Sequence, residues 1–310
     1  MSSRAMATLN PTHISVLSQE LIEGLSLTEG DVVLDATING GGHSLALSNT
    51  IGKDGTIIGI DLDSDALKEA QERLEGVEPK VFLKEGNYRD FAHVLDSINI
   101  PCFDKAIFDL GMSSRQLDVA GRGFSFRSDE PLVMTYSKNP PQDALTARDI
   151  VNTWDEENIV AILRWYGGEK YAKRIAHSIV TNRKERAIET TKDLVRIIEE
   201  AIPNSYKFQR IHPATKTFQA LRVTVNNEIE GLRETLTKIP NRITPGGRIA
   251  VISFQSSEDR VVKQTFKEWK KDGLGTPLTK KPMVPSSKES KSNPRSRSAK
   301  LRIFHFTKDI

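Results

Sequence analysis

Three aspartates stand where a chain of this kind can hold a charged ligand. Asp35 closes Val32-Val33-Leu34, Asp61 closes Thr56-Ile57-Ile58-Gly59-Ile60, and Asp109 closes Phe103-Asp104-Lys105-Ala106-Ile107-Phe108. Each follows a short apolar run of the type that forms a buried strand. Between the first two runs lies Gly40-Gly41-Gly42-His43-Ser44. Successive glycines are costly to order and are kept where a backbone must come close to something. Their amides, leading into a helix expected from about Ser44, can face a ligand at a helix N-terminus. A carboxylate ending the second strand can take both hydroxyls of a ribose. Three acids around one crevice favour a cation, although each acid taken alone could simply cap the turn that follows it.

Two cofactor classes use such a crevice. A dinucleotide calls for G-x-G-x-x-G, and here Gly40-x-Gly42 is followed by Leu45 at the last place, which leaves that fingerprint incomplete. S-adenosylmethionine needs less room for phosphate and more acid near its ammonium group, which Asp35 supplies. The expected cofactor is therefore S-adenosylmethionine. No cluster of side chains asks for a metal.

The elements that must position these residues can be read from periodicity. The strand-like runs, with Val81-Phe82-Leu83 as another, alternate with helical patterns such as Ser64 through Leu74, which implies a parallel sheet with crossover helices. From about Leu117 to His212 no strand pattern appears, but helix starts do. Thr146 with Asp149 and Thr190 with Asp193 resemble capping boxes, and Pro203 closes the second helix. Strands resume at Arg248 to Phe254, after the turn Pro245-Gly246-Gly247, and at Leu301 to Phe306. The stretch from Leu274 to Pro294 is rich in Pro, Ser and Lys and reads as a loop. The expectation is an α/β, Rossmann-like sheet with an inserted all-helical domain. Residues 1–116 form its first part, 117–212 the insertion, and 213–310 the second part with a basic C-terminal segment.

At 310 residues, with 37% hydrophobic and 27% charged residues, the chain suits a globular protein larger than one usual core. The net charge is only +3, but basic residues gather after Lys263, compatible either with a polyanionic partner or with a solvated tail. Cys102 is the single cysteine, which excludes an internal disulfide. No run reaches membrane-spanning length and the N-terminus lacks an apolar leader core, so the expected location is cytoplasmic, with no membrane partner.

Taken in order, these stretches resemble the ribosomal RNA small subunit methyltransferase H family. They are His13 to Glu20, Asp35 to Ser44, Asp109 to Asp118, Arg122 to Phe126, Lys173 to Val180, His212 to Ile229, Gly246 to Phe254, Ser256 to Lys263 and Asn293 to Arg302. The resemblance implies the class I S-adenosylmethionine-dependent methyltransferase fold. It also implies methylation of N4 of a cytidine in the decoding region of small-subunit (16S) ribosomal RNA, on free RNA or on the 30S particle. By it, Gly41, Gly42 and His43 line the cofactor loop, Asp61 holds the ribose, Tyr88 stands beside the adenine, and Asp109 and Gln116 contact the cofactor. The insertion resembles an RNA-recognition domain. The chain departs from the family in "PLVMTYS", where many members carry "PLDMRMD", and in "SFQS", with Gln255, where the family shows "SFHS". It also has Arg115 where a proline is expected. Monomer and homodimer both stay open.

Transfer to a cytosine amine needs an acceptor that orients the delocalised lone pair. Asp109 is the candidate acceptor. Ser113 and Ser114 either position the base or form a turn. His13 and His43 are proton carriers or hydrogen-bonded structural groups. Arg122 beside Phe124 and Phe126 offers a cation and a stacking surface, or Arg122 beside buried rings. Lys173 and Arg174 in the insertion, and Arg295 and Arg297 near the C-terminus, are candidate phosphate contacts. Arg222 and Asn226 contact substrate or anchor loops. A rival reading is a catalytically silent RNA-binding assembly factor that keeps the fold. A nicotinamide oxidoreductase is disfavoured by the incomplete fingerprint.

Overall fold

Alternate residues of a strand point to opposite faces of a sheet, and this divides the apolar side chains here into two cores. The computed structural model describes residues 15–112, 117, 121–207, 209 and 211–307. Its strands are β1 (Val32–Asp35), β2 (Thr56–Asp61), β3 (Lys80–Glu85), β4 (Phe103–Asp109), β5 (Ile243–Ser253), β6 (Gly275–Pro277) and β7 (Lys300–Phe306). Val33, Ile57, Ile107, Ala250 and Ile252 pack on one face against α1 (Ser18–Leu25) and α2 (Gly42–Ile51). Their neighbours Leu34, Ile58, Ala106, Phe108, Ile249 and Val251 join the core of the other face. There they meet α4 (Phe91–Ser97), which follows α3 (Ser64–Arg73), together with helices from the far end of the chain.

The sheet order is β3-β2-β1-β4-β5-β7-β6. β1 to β5 pair in parallel, whereas β7 runs antiparallel to both of its neighbours. The chain winds outward from β1 to β3, then returns to the other side of β1 with β4. The strand order therefore reverses between β1 and β4, where an open α/β sheet leaves a crevice beyond its carboxyl ends. This is the Rossmann-like α/β fold expected from the sequence.

Between β4 and β5 the chain forms α5 (Ala147–Thr153), α6 (Glu156–Trp165), α7 (Ala172–Asn182), α8 (Thr191–Ala201), the single turn α9 (Asn204–Lys207), α10 (Thr215–Val225) and α11 (Glu228–Lys238). Both expected capping boxes form, Thr146 with Asp149 and Thr190 with Asp193. Ile150, Leu163, Ile175, Ile179, Leu194 and Ile198 make a second, helical core. Phe218 and Leu221 of α10 belong to it, while Val223 of the same helix belongs to the sheet. One helix thus rivets the two bodies together. The apolar spacing from Phe218 to Leu232 is interrupted at Asn227, which takes φ 48° and separates α10 from α11.

Two expectations about the second half of the sheet needed the tertiary structure. The turn Pro245-Gly246-Gly247 lies inside β5: Ile243 pairs with Phe103 and Arg248 with Lys105, so the residues between them bulge out of register. The stretch after Leu274, read as a loop, holds β6 and α13 (Ser287–Ser292), after α12 (Ser256–Lys271). Gly-Thr-Pro has no strand pattern, and its pairing is supplied by β7 at the sheet edge, where Pro is tolerated. Among the described residues no helix is long and apolar enough to cross a membrane.

Candidate active site

The three strand-end aspartates reach one region but meet different surroundings. Asp35 is fully buried and lines neither of the cavities described below; Ser44 Oγ donates to its Oδ2 at 2.7 Å, and its Oδ1 has no partner among the described residues. Burial, chiefly, raises its pKa to about 6 against the hydrogen bond from Ser44. Asp61 accepts the backbone N–H of Asn39 on Oδ2 and that of Asp63 on Oδ1, both at 2.9 Å. Burial again dominates and lifts it to about 6. Asp109 donates its own N–H to Thr37 Oγ1 at 2.6 Å, and its carboxylate Oδ1 is a buried acceptor without a partner among the described residues. Its Oδ2 lies 3.6 Å from His43 Nε2. His43 is buried, which by itself lowers its pKa; contact with Asp109 and the charges of Asp109 and Asp35 outweigh this and hold it above its ordinary value.

The glycine run packs on protein as well as leading into α2. Gly41 sits at φ 74° as the N-cap of that helix, a conformation that costs a side-chain-bearing residue, with the Ala70 backbone 3.2 Å from where a Cβ would stand. Gly40 faces the Glu69 carboxylate and Gly42 faces Ser15. Gly40, Gly41, Gly42 and His43 line neither of the cavities described below, whereas Ala36, Thr37 and Asn39, just before them, do.

Two cavities flank the end of β4. A narrow one of about 60 Å³ is lined by Ala36, Thr37, Asn39, Asp61, Leu62, Gly86, Tyr88, Leu110, Gly111, Tyr136, Glu228, Leu232 and Glu258. Tyr88 follows β3 and stands edge-on to Phe108, with ring centres 5.9 Å apart. A wider cleft of about 380 Å³ lies between the sheet and the helical body. Asp109, Met112, Phe124, Phe126, Phe218, Gln219, Arg222, Gln255 and Arg295 are among its walls. Asn39, Leu110 and Gly111 belong to both. Ser113, Ser114 and Gln116, like His13, lie outside the described residues.

A buried ionic group separates the cavities, and local sequence patterns gave no sign of it. Arg222 Nε and Nη2 donate to the two oxygens of Glu228 at 2.8 and 2.9 Å. Tyr136 Oη donates to Glu228 Oε1 at 2.9 Å. Glu258, the third residue of α12, accepts the N–H groups of Phe254 and Gln255. Arg222 faces the wide cleft while Glu228 and Glu258 face the narrow one. Asn226 anchors a loop, accepting from Tyr136 N–H and donating to the Met134 carbonyl. The Tyr136 and Gln255 departures thus sit in the site itself.

Burial first, then the charge of Glu228, raises Glu258 to about 7. Its folded pKa exceeds its ordinary value of 4.5, so the folded state holds the proton more tightly. The associated stability is present below the ordinary pKa and is lost as pH rises through about 7. Thermal melts of Glu258→Gln are expected to show a shallower fall in Tm between pH 5 and 8 than the parent. An unchanged slope would refute the assignment.

The expected RNA contacts divide by exposure. Lys173 and Arg174 are exposed on α7, and Arg295 and Arg297 are exposed after α13. Arg122 is turned inward instead: its Nη2 donates to Asp63 Oδ2 at 2.7 Å and its Nη1 to the Tyr136 carbonyl. Phe124 is buried and stacked on Tyr136 at 5.8 Å, with its surface towards the cleft. An arginine among buried rings with an aspartate in reach makes that ion pair rather than facing solvent. Within the basic C-terminal segment, Arg302 pairs with Asp259 at 2.7 Å, so part of that charge is structural.

The profile of the MraW methylase family matches residues 10–307. Curated relatives include proteins named ribosomal RNA small subunit methyltransferase H. The one from Brevibacillus brevis is 39% identical over 313 residues, covering 96% of this chain and 99% of that one. That from Symbiobacterium thermophilum is 43% identical over 305 residues, covering 94% and 95%. That from a Sulfurihydrogenibium species is 45% identical over 292 residues, covering 94% and 98%. A solved structure of a putative rRNA-methylase from Clostridium thermocellum aligns over 95% of this chain and 99% of that one, with 14% identity and a TM-score of 0.43. With the family profile matched over residues 10–307 and curated relatives matched almost end to end, the chain belongs to the MraW methylase family.

Proposed function

We propose that this protein transfers a methyl group from S-adenosylmethionine to the N4 amine of a cytidine in small-subunit ribosomal RNA, in the decoding region. The observation that carries the reading is the meeting of the two cavities at Asn39, Leu110 and Gly111, beside a carboxylate oxygen of Asp109 that has no partner among the described residues. The narrow cavity suits the donor by its chemistry. Asp61 keeps lone pairs for the ribose hydroxyls, Leu62, Gly86 and Tyr88 give an apolar seat for an adenine, and the acids answer a cation. Roles for Gly41, Gly42, His43 and Gln116 in donor binding rest on the family resemblance; Gly40 joins them through the glycine run, and Ser113 and Ser114 are placed at the base because they follow Asp109 in the chain.

S-adenosylmethionine supplies an electrophilic methyl carbon on a sulfonium. The protein's part is to hold the amine in line with it. Asp109 accepts one N–H of the amine, which turns the nitrogen lone pair out of the ring and towards the methyl. No strong base is required, because the nitrogen becomes very acidic as its new bond forms; the same carboxylate takes the departing proton. The target base must first leave any stack, at a cost of a few kcal/mol. Lys173, Arg174, Arg295 and Arg297 serve as phosphate contacts, which give affinity rather than sequence choice. The reaction is placed in the cytoplasm, where the subunits are.

The test is direct. Protein, labelled S-adenosylmethionine and unmodified small subunits are incubated, and the RNA is digested and analysed by mass spectrometry. Label on a cytosine N4 is expected. Tight subunit binding without transfer would favour the assembly-factor reading, and label on another atom would overturn the assignment.

A further inference from the structure

The wide cleft contains a polar device with no part in the scheme above. Gln219 on α10 and Gln255 before α12 are 36 positions apart and both line it. Gln219 Nε2 donates to the Tyr166 carbonyl at 3.1 Å and to Gln255 Oε1 at 2.6 Å. A carbonyl oxygen can only accept, so Tyr166 dictates which end of the Gln219 amide is nitrogen, and Gln219 in turn orients Gln255. Both N–H groups of Gln219 are thereby occupied. Gln219 Oε1 and Gln255 Nε2 have no hydrogen-bond partner among the described residues and are not enclosed atoms. The cleft wall thus carries one spare acceptor and one spare donor on two amides that hold each other in place.

We infer that Gln219 and Gln255 read the Watson–Crick edge of the acceptor base: Gln219 Oε1 accepts from the exocyclic amine while Gln255 Nε2 donates to the ring nitrogen beside it. The inference rests on the cytosine reading above and adds the residues that choose the base. Cytosine presents a donor at N4 and an acceptor at N3, which this pair complements. Uracil presents an acceptor followed by a donor, so both contacts would set like groups against each other and leave them unpaired. An exocyclic amine has two N–H groups, which leaves one for Gln219 and one for Asp109 in the same cleft. Phe126 and Phe218, edge-on at 5.4 Å, and Phe124 supply flat apolar surface for the ring.

The experiment uses the full-length protein and small subunits, with cytidine and uridine 5′-monophosphate as competitors. The parent is expected to be inhibited more strongly by the cytidine nucleotide. Gln255→Glu replaces the donor by an acceptor at nearly constant shape. It should reduce the cytidine preference and kcat/KM by about tenfold or more, with S-adenosylmethionine affinity unchanged by calorimetry. Gln255→His keeps an N–H and should preserve most of the preference. Should Gln255→Glu fail to fold, Gln219→Met removes the acceptor at the other end and is expected to lose the preference likewise. If the parent methylates cytosine and these variants discriminate as it does, the inference falls while the functional reading stands. If the parent puts no methyl on cytosine, the functional reading itself falls.

Discussion

Asp109→Asn is expected to lower the methyl-transfer rate by about 10²- to 10³-fold, while the protein keeps its fold and its donor affinity changes far less. The backbone N–H of residue 109 still donates to Thr37, so β4 ends as before. What is lost is the negative charge and one of two acceptor oxygens at the junction of the cavities. Asn keeps an acceptor, but its amide nitrogen presents donors to an amine that itself needs acceptors. His43, 3.6 Å away, loses the neighbour that contributes most to raising its pKa, so its titration by NMR should move down in the variant. That shift shows that the right contact was broken, and single-turnover transfer measures the consequence. A variant that transfers methyl at the parent rate, with His43 shifted, would remove Asp109 from the chemistry.

The largest loss of stability is expected from Arg222→Met. Arg222 and Glu228 are 9% and 8% exposed, and their doubly hydrogen-bonded pair also receives Tyr136. Removing one member of a buried pair leaves the other charge uncompensated, at a cost of about 3–5 kcal/mol. In a chain of this size that corresponds to a fall in Tm of about 5–8 °C. The double variant Arg222→Met with Glu228→Leu should recover part of the loss, because the orphaned charge is gone. A single variant as stable as the parent would show that the pair contributes nothing net. Because the pair stands between the cavities, it links the joint of the two bodies to the shape of the site.

How much was legible in advance depended on whether the signal was local. The capping boxes at Thr146 and Thr190 each span four residues, and both formed. The runs ending in Asp35, Asp61 and Asp109 are strands because β-branched and apolar residues buried on both faces leave no other period. By contrast, Gly275-Thr276-Pro277 becomes a strand only through β7, and the turn at Pro245 becomes a bulge only through β4. The inward turn of Arg122 follows from Asp63, 59 positions earlier.

The sequence by itself determined the α/β sheet, its helical insertion, the acids that end its strands and the family to which the chain is similar, because hydrophobic period, caps and motifs are carried by neighbouring residues. Only the tertiary structure decided which acids face a cavity, that Arg222 and Glu228 divide two cavities, and that Gln219 meets Gln255. Those facts depend on where segments dozens of residues apart come to rest. Burial and hydrogen bonding between such segments are set by the packing of whole elements, which no short stretch of sequence encodes.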